Sequence, residues 1–201
     1  MQKNFLFFIM IFGSLAGCSG PDQKGEETTV VNMTSGTSNN PDAFNESFQK
    51  LLTTYYSLKD AFIEYDTSQA NAAARNLSIH ADSLPIAAIN DSTGAIKETA
   101  KNLTGTISGS ALGLVGETDL EKKKKEFQMI SDAMYDLVRT VKYDQQKIYH
   151  QHCPMAFGEE AAYWISTSPE IINPYLGKQH PKYKAGMLHC GDITDSLDFS
   201  K

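Results

Sequence analysis

Leu120–Pro154 reads LEKKKKEFQMISDAMYDLVRTVKYDQQKIYHQHCP, and it carries the clearest periodicity in the chain. Phe127, Ile130, Met134, Leu137, Val138, Val141 and Ile148 recur at helical spacing, which marks one buried face. Asp119 is placed to cap the start. The pattern predicts a helix from Leu120 to Tyr149, about 45 Å long at about 1.5 Å per residue. Pro154 cannot sit inside it. The helix is therefore expected to deliver His150, His152 and Cys153 at its C-terminal end, where backbone carbonyls point outward. The cationic run Glu121–Glu126, EKKKKE, is flanked by acids and reads as a solvated helix start.

Upstream the same spacing predicts three more helices. Asn40 can cap the first and Pro41 suits its first position. Phe44, Phe48, Leu51, Leu52, Tyr55, Leu58, Phe62 and Tyr65 form its inward face. The second runs from Ser68 to Leu84 with Ala70, Ala73, Ala74, Leu77, Ala81 and Leu84 inward, and Pro85 stops it. Ile86–Gly116 predicts a third, imperfect helix. Its Gly105, Gly109 and Gly113 would line a smooth stripe for a close neighbour, and each costs about 1 kcal/mol in a helix interior.

Downstream of Pro154 the texture changes. AAYWISTS (161–168) and MLHCGDIT (187–194) read as short strands, separated by a loop rich in proline and glycine. The fold class expected is mainly α: a four-helix up-down bundle with a small irregular or β C-terminal cap. The bundle spans 42–149 and the cap 150–201.

The first seventeen residues have one cation, Lys3, then an apolar run and small residues, the layout of a secretory signal. The run is too short to span a bilayer. Leu15-Ala16-Gly17-Cys18 resembles a bacterial lipoprotein signal, which implies that Cys18 is lipid-modified and becomes the first mature residue. The polar, aperiodic stretch 18–41 reads as a flexible tether. The mature chain would have 17 basic against 24 acidic residues, a formal charge of −7. An acidic chain without basic clusters argues against nucleic acid as a partner. The membrane would be met through the lipid anchor only. Ser19 after the cysteine fits outer-membrane sorting but does not fix the orientation. The location expected is the cell envelope, as an outer-membrane lipoprotein facing the periplasm.

The chain has five histidines and three cysteines, and they concentrate. His150, His152, Cys153 and Met155 lie together, and Met187, His189 and Cys190 follow some thirty residues later. Thiolate, thioether and imidazole select Cu(I), with zinc or silver also possible. Calcium and magnesium prefer oxygen donors. Cys153, Met155, Met187 and Cys190 are the expected metal ligands, with His152 or His189 completing the set. Three plainer readings stand beside this. The methionines could be core fillers. The histidines could be surface residues at a helix end. Cys153 and Cys190 could form a disulfide across a 38-residue loop, contributing roughly 3 to 4 kcal/mol. His80 reads as a core or edge residue and His180 as a loop residue. No nucleophile elbow, phosphate loop or HExxH is present, so the chain does not read as an enzyme. A thiol enzyme would need a cysteine of depressed pKa.

One resemblance runs through most of these residues. His152-Cys153-Pro154-Met155, Trp164-Ile165-Ser166, Ile172-Asn173-Pro174-Tyr175 with Gly177, and Met187-Leu188 with Cys190-Gly191 resemble a bacterial family of unknown function. YYSLKDAFIEYD and FQMISDAMYDLV fit its helical half. Its members occur as periplasmic lipoproteins. They also occur as the C-terminal domain of adaptor (membrane-fusion) subunits of copper/silver efflux pumps. The resemblance covers Phe48 to Ile193 and implies heavy-metal handling beside an efflux pump component. Two departures stand out: Ala161 where the family has glycine, and a long Gly177–Met187 loop carrying His180. The function expected is Cu(I)/Ag(I) buffering or delivery. Its rival is a non-catalytic envelope interaction module with a structural Cys153–Cys190 disulfide. Trp164 and Tyr175 are expected to pack the cap onto the bundle.

Overall fold

The computed structural model describes residues 40–200. The expected signal peptide, lipidation at Cys18 and tether up to residue 39 lie outside the described residues. Four helices, α1 (Asp42–Glu64), α2 (Thr67–Asp82), α3 (Ala95–Gly116) and α4 (Leu120–Val141), precede three strands. The strands are β1 (Ile148–Phe157), β2 (Glu160–Ser166) and β3 (Asp192–Leu197). They form one antiparallel sheet in the order β2-β1-β3. No helix among the described residues is long and apolar enough to cross a membrane.

The helical faces expected from periodicity are the buried ones. Phe44, Phe48, Leu51, Leu52, Tyr55, Leu58 and Phe62 are buried from α1, and Ala70, Ala73, Ala74, Leu77 and Ala81 from α2. α1 packs on α2, α2 on α3 and α3 on α4. Asp66 and Asp119 cap α2 and α4 through Gln69 N–H and Lys122 N–H. Asn40 does not cap α1. Its Nδ2 donates instead to Val141 O at 2.7 Å, so it closes the C-terminal end of α4. The third helix starts at Ala95, after a separate 3-10 turn at Ile86–Ala88. Nothing lies within 4 Å of a Cβ built on Gly105 or Gly109, and the nearest atoms to one on Gly113 belong to the Glu126 side chain. The expected close neighbour is therefore not there among the described residues.

Two expectations about α4 fail, for physical reasons. The helix stops at Val141, not Tyr149, because Lys142 turns left-handed (φ 50°) and ends it. Tyr143 then turns inward onto Phe48, with ring centroids 4.6 Å apart. His150, His152 and Cys153 therefore stand in the central strand β1, not at a helix end. Pro154 lies in the irregular stretch of β1 between Cys153 and Phe157, where the ladder shifts register and a missing N–H is tolerated. The second expected strand is also displaced: Met187–Cys190 forms a turn, and β3 begins at Asp192.

The lysine run is only partly a solvated start: Lys122 and Lys125 are exposed. Lys123 and Lys124 are buried. Lys123 Nζ donates to Leu114 O, near the end of α3, at 2.6 Å and to Asn71 Oδ1 of α2 at 2.8 Å. Lys124 Nζ pairs with Glu121 at 2.9 Å and donates to Tyr65 Oη at 3.1 Å. Lys125 reaches Glu160 of β2 and lies over the Phe157 ring. Consecutive lysines point in different directions around a helix, so each ties α4 to a different element. Lys123→Met should lower stability by about 1–3 kcal/mol in chemical denaturation, because Leu114 O and Asn71 lose a buried charged donor. A change of a few tenths would show that water replaces the ammonium.

Candidate functional site

The pleat of β1 sends alternate side chains to opposite faces. One face meets α4, where the Tyr135 ring stacks on His150 at 3.8 Å; beside it, Tyr55 Oη of α1 accepts the Ile165 N–H of β2 at 3.1 Å. The other face carries Gln151, Cys153 and Trp164 and lies under the loop 167–191. Gln151 Nε2 donates to Ser168 O and Glu170 O at the start of that loop. Further on, the loop docks on the C-terminal end of α1. Lys178 N–H donates to Ile63 O at 2.8 Å, and a Cβ on Gly177 would come within 2.6 Å of the same carbonyl. That close approach requires glycine. The loop ends at Cys190.

Its return brings the two cysteines together. Cys153 Sγ and Cys190 Sγ are 3.0 Å apart, from positions 37 residues distant in sequence. Both are free thiols, Cys153 buried and Cys190 half-buried. The separation exceeds a disulfide bond of about 2.05 Å and falls short of the roughly 3.5–4.5 Å across a shared ion. Burial, then the hydrogen bond and charge of Cys153, then Asp192, push the Cys190 thiol up to about 11. That direction is opposite to what a thiolate nucleophile at Cys190 needs.

The other expected ligands divide. Met187 sits in a 3-10 turn just ahead of Cys190, partly buried against the core, and its carbonyl accepts the Cys190 N–H at 3.0 Å. His189 is exposed, and its Nδ1 meets Ile171 O at 2.8 Å. A carbonyl only accepts, so the proton is on Nδ1 and the Nε2 lone pair is left available, the arrangement of ligating imidazoles. Met155 is 45% exposed and faces a surface hollow with Glu121, Lys125 and His180, away from the thiols. His152 follows the strand alternation to the α4 side, where its ring stacks with Tyr163 at 5.5 Å. Its buried Nδ1 has no partner among the described residues. Strand pleating thus parts His152 from Cys153, which a helix end would have kept together.

The remaining histidines have structural settings. His150 lies between Tyr135 and Tyr163, its Nδ1 is 3.0 Å from Thr194 Oγ1, and burial pulls it down to about 4. His180 Nδ1 accepts two backbone N–H groups, from Lys182 and Tyr183, which fixes the loop rather than freeing a ligand. His80 is half-buried at the helix edge, beside a hollow lined by Glu46 and Thr53. Among the described residues no group of three or more His, Cys, Asp or Glu side chains could hold a metal ion. What converges is a pair of sulfurs. Trp164 and Tyr175 are both fully buried and meet at 6.1 Å, and Tyr175 reaches Phe127 of α4 at 5.6 Å, as expected of packing residues. Gln151 and Asn173, two buried amides, carry no signal of metal chemistry. Gln151 is legible only as a polar residue at an inward strand position, and Asn173-Pro174 only as a turn.

The architecture is therefore a mainly α domain of four helices, closed at its C-terminus by a small antiparallel sheet with paired thiols. Residues 51–146 match the model of a family described as a protein of unknown function (DUF3347). The match covers the helical half and ends before β1, so both cysteines lie outside it. No curated protein and no solved structure matches the chain.

Proposed function

We propose that this is a lipid-anchored heavy-metal-binding protein of the outer membrane, facing the periplasm. It takes Cu(I) or Ag(I) and buffers it or hands it to an efflux system. The helices are read as an up-down bundle, in line with their neighbour-to-neighbour packing. The observation that carries the proposal is the meeting of Cys153 and Cys190. Cu(I) accepts few soft ligands, so two thiolates are a sufficient core and a third His or Cys is not required. Opening the sulfurs by roughly 1 Å makes room for an ion with metal–sulfur bonds of about 2.3 Å. Met187 and the Nε2 of His189 are the candidates to join them, from the same loop as Cys190. Met155 and His152 would need a rearranged strand.

Anaerobic titration of reduced protein with Cu(I) against a competing chelator tests this. One ion per chain is expected, lost in Cys153→Ser and in Cys190→Ser. Stoichiometric binding that survives replacing both cysteines removes the site. A second reading is favoured by the same separation, only about 1 Å longer than a disulfide. In it the pair is oxidised and the protein is a non-catalytic envelope interaction module. Thiol labelling of protein taken from the envelope separates the two: two labels support the metal site, none the module.

A further inference from the structure

Cys190 is held in place by groups on both of its flanks. Asn173 is fully buried on the same loop. Its backbone N–H donates to Leu188 O at 2.8 Å, and its Nδ2 donates to Cys190 O at 2.9 Å. Its Oδ1 accepts the N–H groups of Tyr175 at 2.8 Å and Leu176 at 3.1 Å. One amide therefore ties the middle of the loop to its last residues, 17 positions on. On the other flank Gly191 adopts φ 138°. A Cβ there would lie 2.2 Å from His152 O and 3.2 Å from Trp164 Cη2. Only glycine lets the chain cross β1 so closely directly after the cysteine. Cys153 needs no such help, since it is part of the central strand.

We propose that Asn173 and Gly191 are positioning residues that set the effective concentration of the Cys190 thiol at Cys153 and so make the two sulfurs one donor unit. The inference rests on the reading of this pair as the working site. A loop residue with ordinary freedom would spend most of its time away from a partner 37 positions back. Asn173 removes that freedom locally. Losing its Nδ2 donor leaves the Cys190 carbonyl unpaired, while the helices keep all their own contacts.

Equilibration with glutathione reads this without any metal. The Cys153–Cys190 sulfur bond forms as the bond of glutathione disulfide breaks. Two electrons pass to the glutathione sulfurs, and the two cysteine protons end on the two glutathione thiols. The equilibrium constant is an effective concentration. Asn173→Asp keeps the Oδ1 acceptor but turns the donor facing Cys190 O into a second acceptor. The constant should fall about tenfold in this variant and in Gly191→Ala. A purely structural role would weaken the reduced and oxidised forms alike and leave the constant where it was. A fall of less than about fivefold overturns the assignment for the residue concerned. So does loss of the helical circular-dichroism signal, since the residue would then support the bundle and not the pair. Failure of the Cu(I) titration leaves this result standing, and a shifted glutathione constant does not rescue copper binding.

Discussion

Phe127→Ala should lower the unfolding free energy by about 3–5 kcal/mol, the largest stability loss expected of a single core truncation here. Phe127 is fully buried, and its ring stacks on Tyr55 at 5.6 Å, meets Phe62 at 5.0 Å and meets Tyr175 at 5.6 Å. It therefore joins α1, α4 and the loop over the sheet. The neighbouring Tyr55 ties α1 to α4 and to β2 by hydrogen bonds, with Ser131 Oγ at 2.8 Å and from Ile165 N–H. Tyr175 adds a third tie, donating from its hydroxyl to Tyr163 O at 2.6 Å. The only tryptophan of the chain, Trp164, lies in the sheet, so its fluorescence reports the cap while far-ultraviolet dichroism reports the helices. In the unsubstituted protein the two signals should be lost in one transition. In Phe127→Ala both should move together to lower denaturant. A loss under about 1 kcal/mol, or two separated transitions before substitution, would show that bundle and cap fold as independent units.

Acidification should weaken Cu(I) capture by about tenfold per pH unit for each thiol proton displaced, about a hundredfold for Cys190 alone between pH 8 and pH 6. The sign follows from the raised Cys190 pKa of about 11. Throughout that range the thiol holds its proton, so binding must expel it, and a higher proton concentration competes more strongly. Competition titrations at several pH values, with the chelator's own protonation accounted for, give the slope. A flat profile would mean that Cys190 releases no proton and is not a ligand.

Helix faces were legible because burial repeats with the helical period, and Phe44 through Phe62 or Phe127 through Val141 satisfy that repeat over many turns. The end of α4 was not. Ile148 continues the spacing set by Val141, and a single apolar residue cannot distinguish another helical turn from the first residue of a strand. Lys142 in a left-handed conformation and Tyr143 packing on Phe48 decide it. The lysine run misled for a similar reason. Charge flanked by charge reads as solvated, yet Lys123 and Lys124 find Leu114 O, Asn71, Tyr65 and Glu121 only because α1 and α3 end, and α2 begins, around the start of α4.

At the site, residue chemistry alone picked out Cys153 and Cys190, since soft donors that are scarce in a chain and clustered in it stand out without coordinates. Their neighbours could not be sorted that way. Met155 and His152 are as close to Cys153 in sequence as any ligand could be, but a bulge turns one to solvent and the strand pleat sends the other to the opposite face. Sequence determined the four helices with their buried faces and which side chains are chemically able to bind a soft ion, because both follow from local periodicity and residue type. Tertiary structure decided which of them meet, because contact across 37 residues depends on a loop whose path is set by buried amides and close backbone crossings, and no local pattern encodes these.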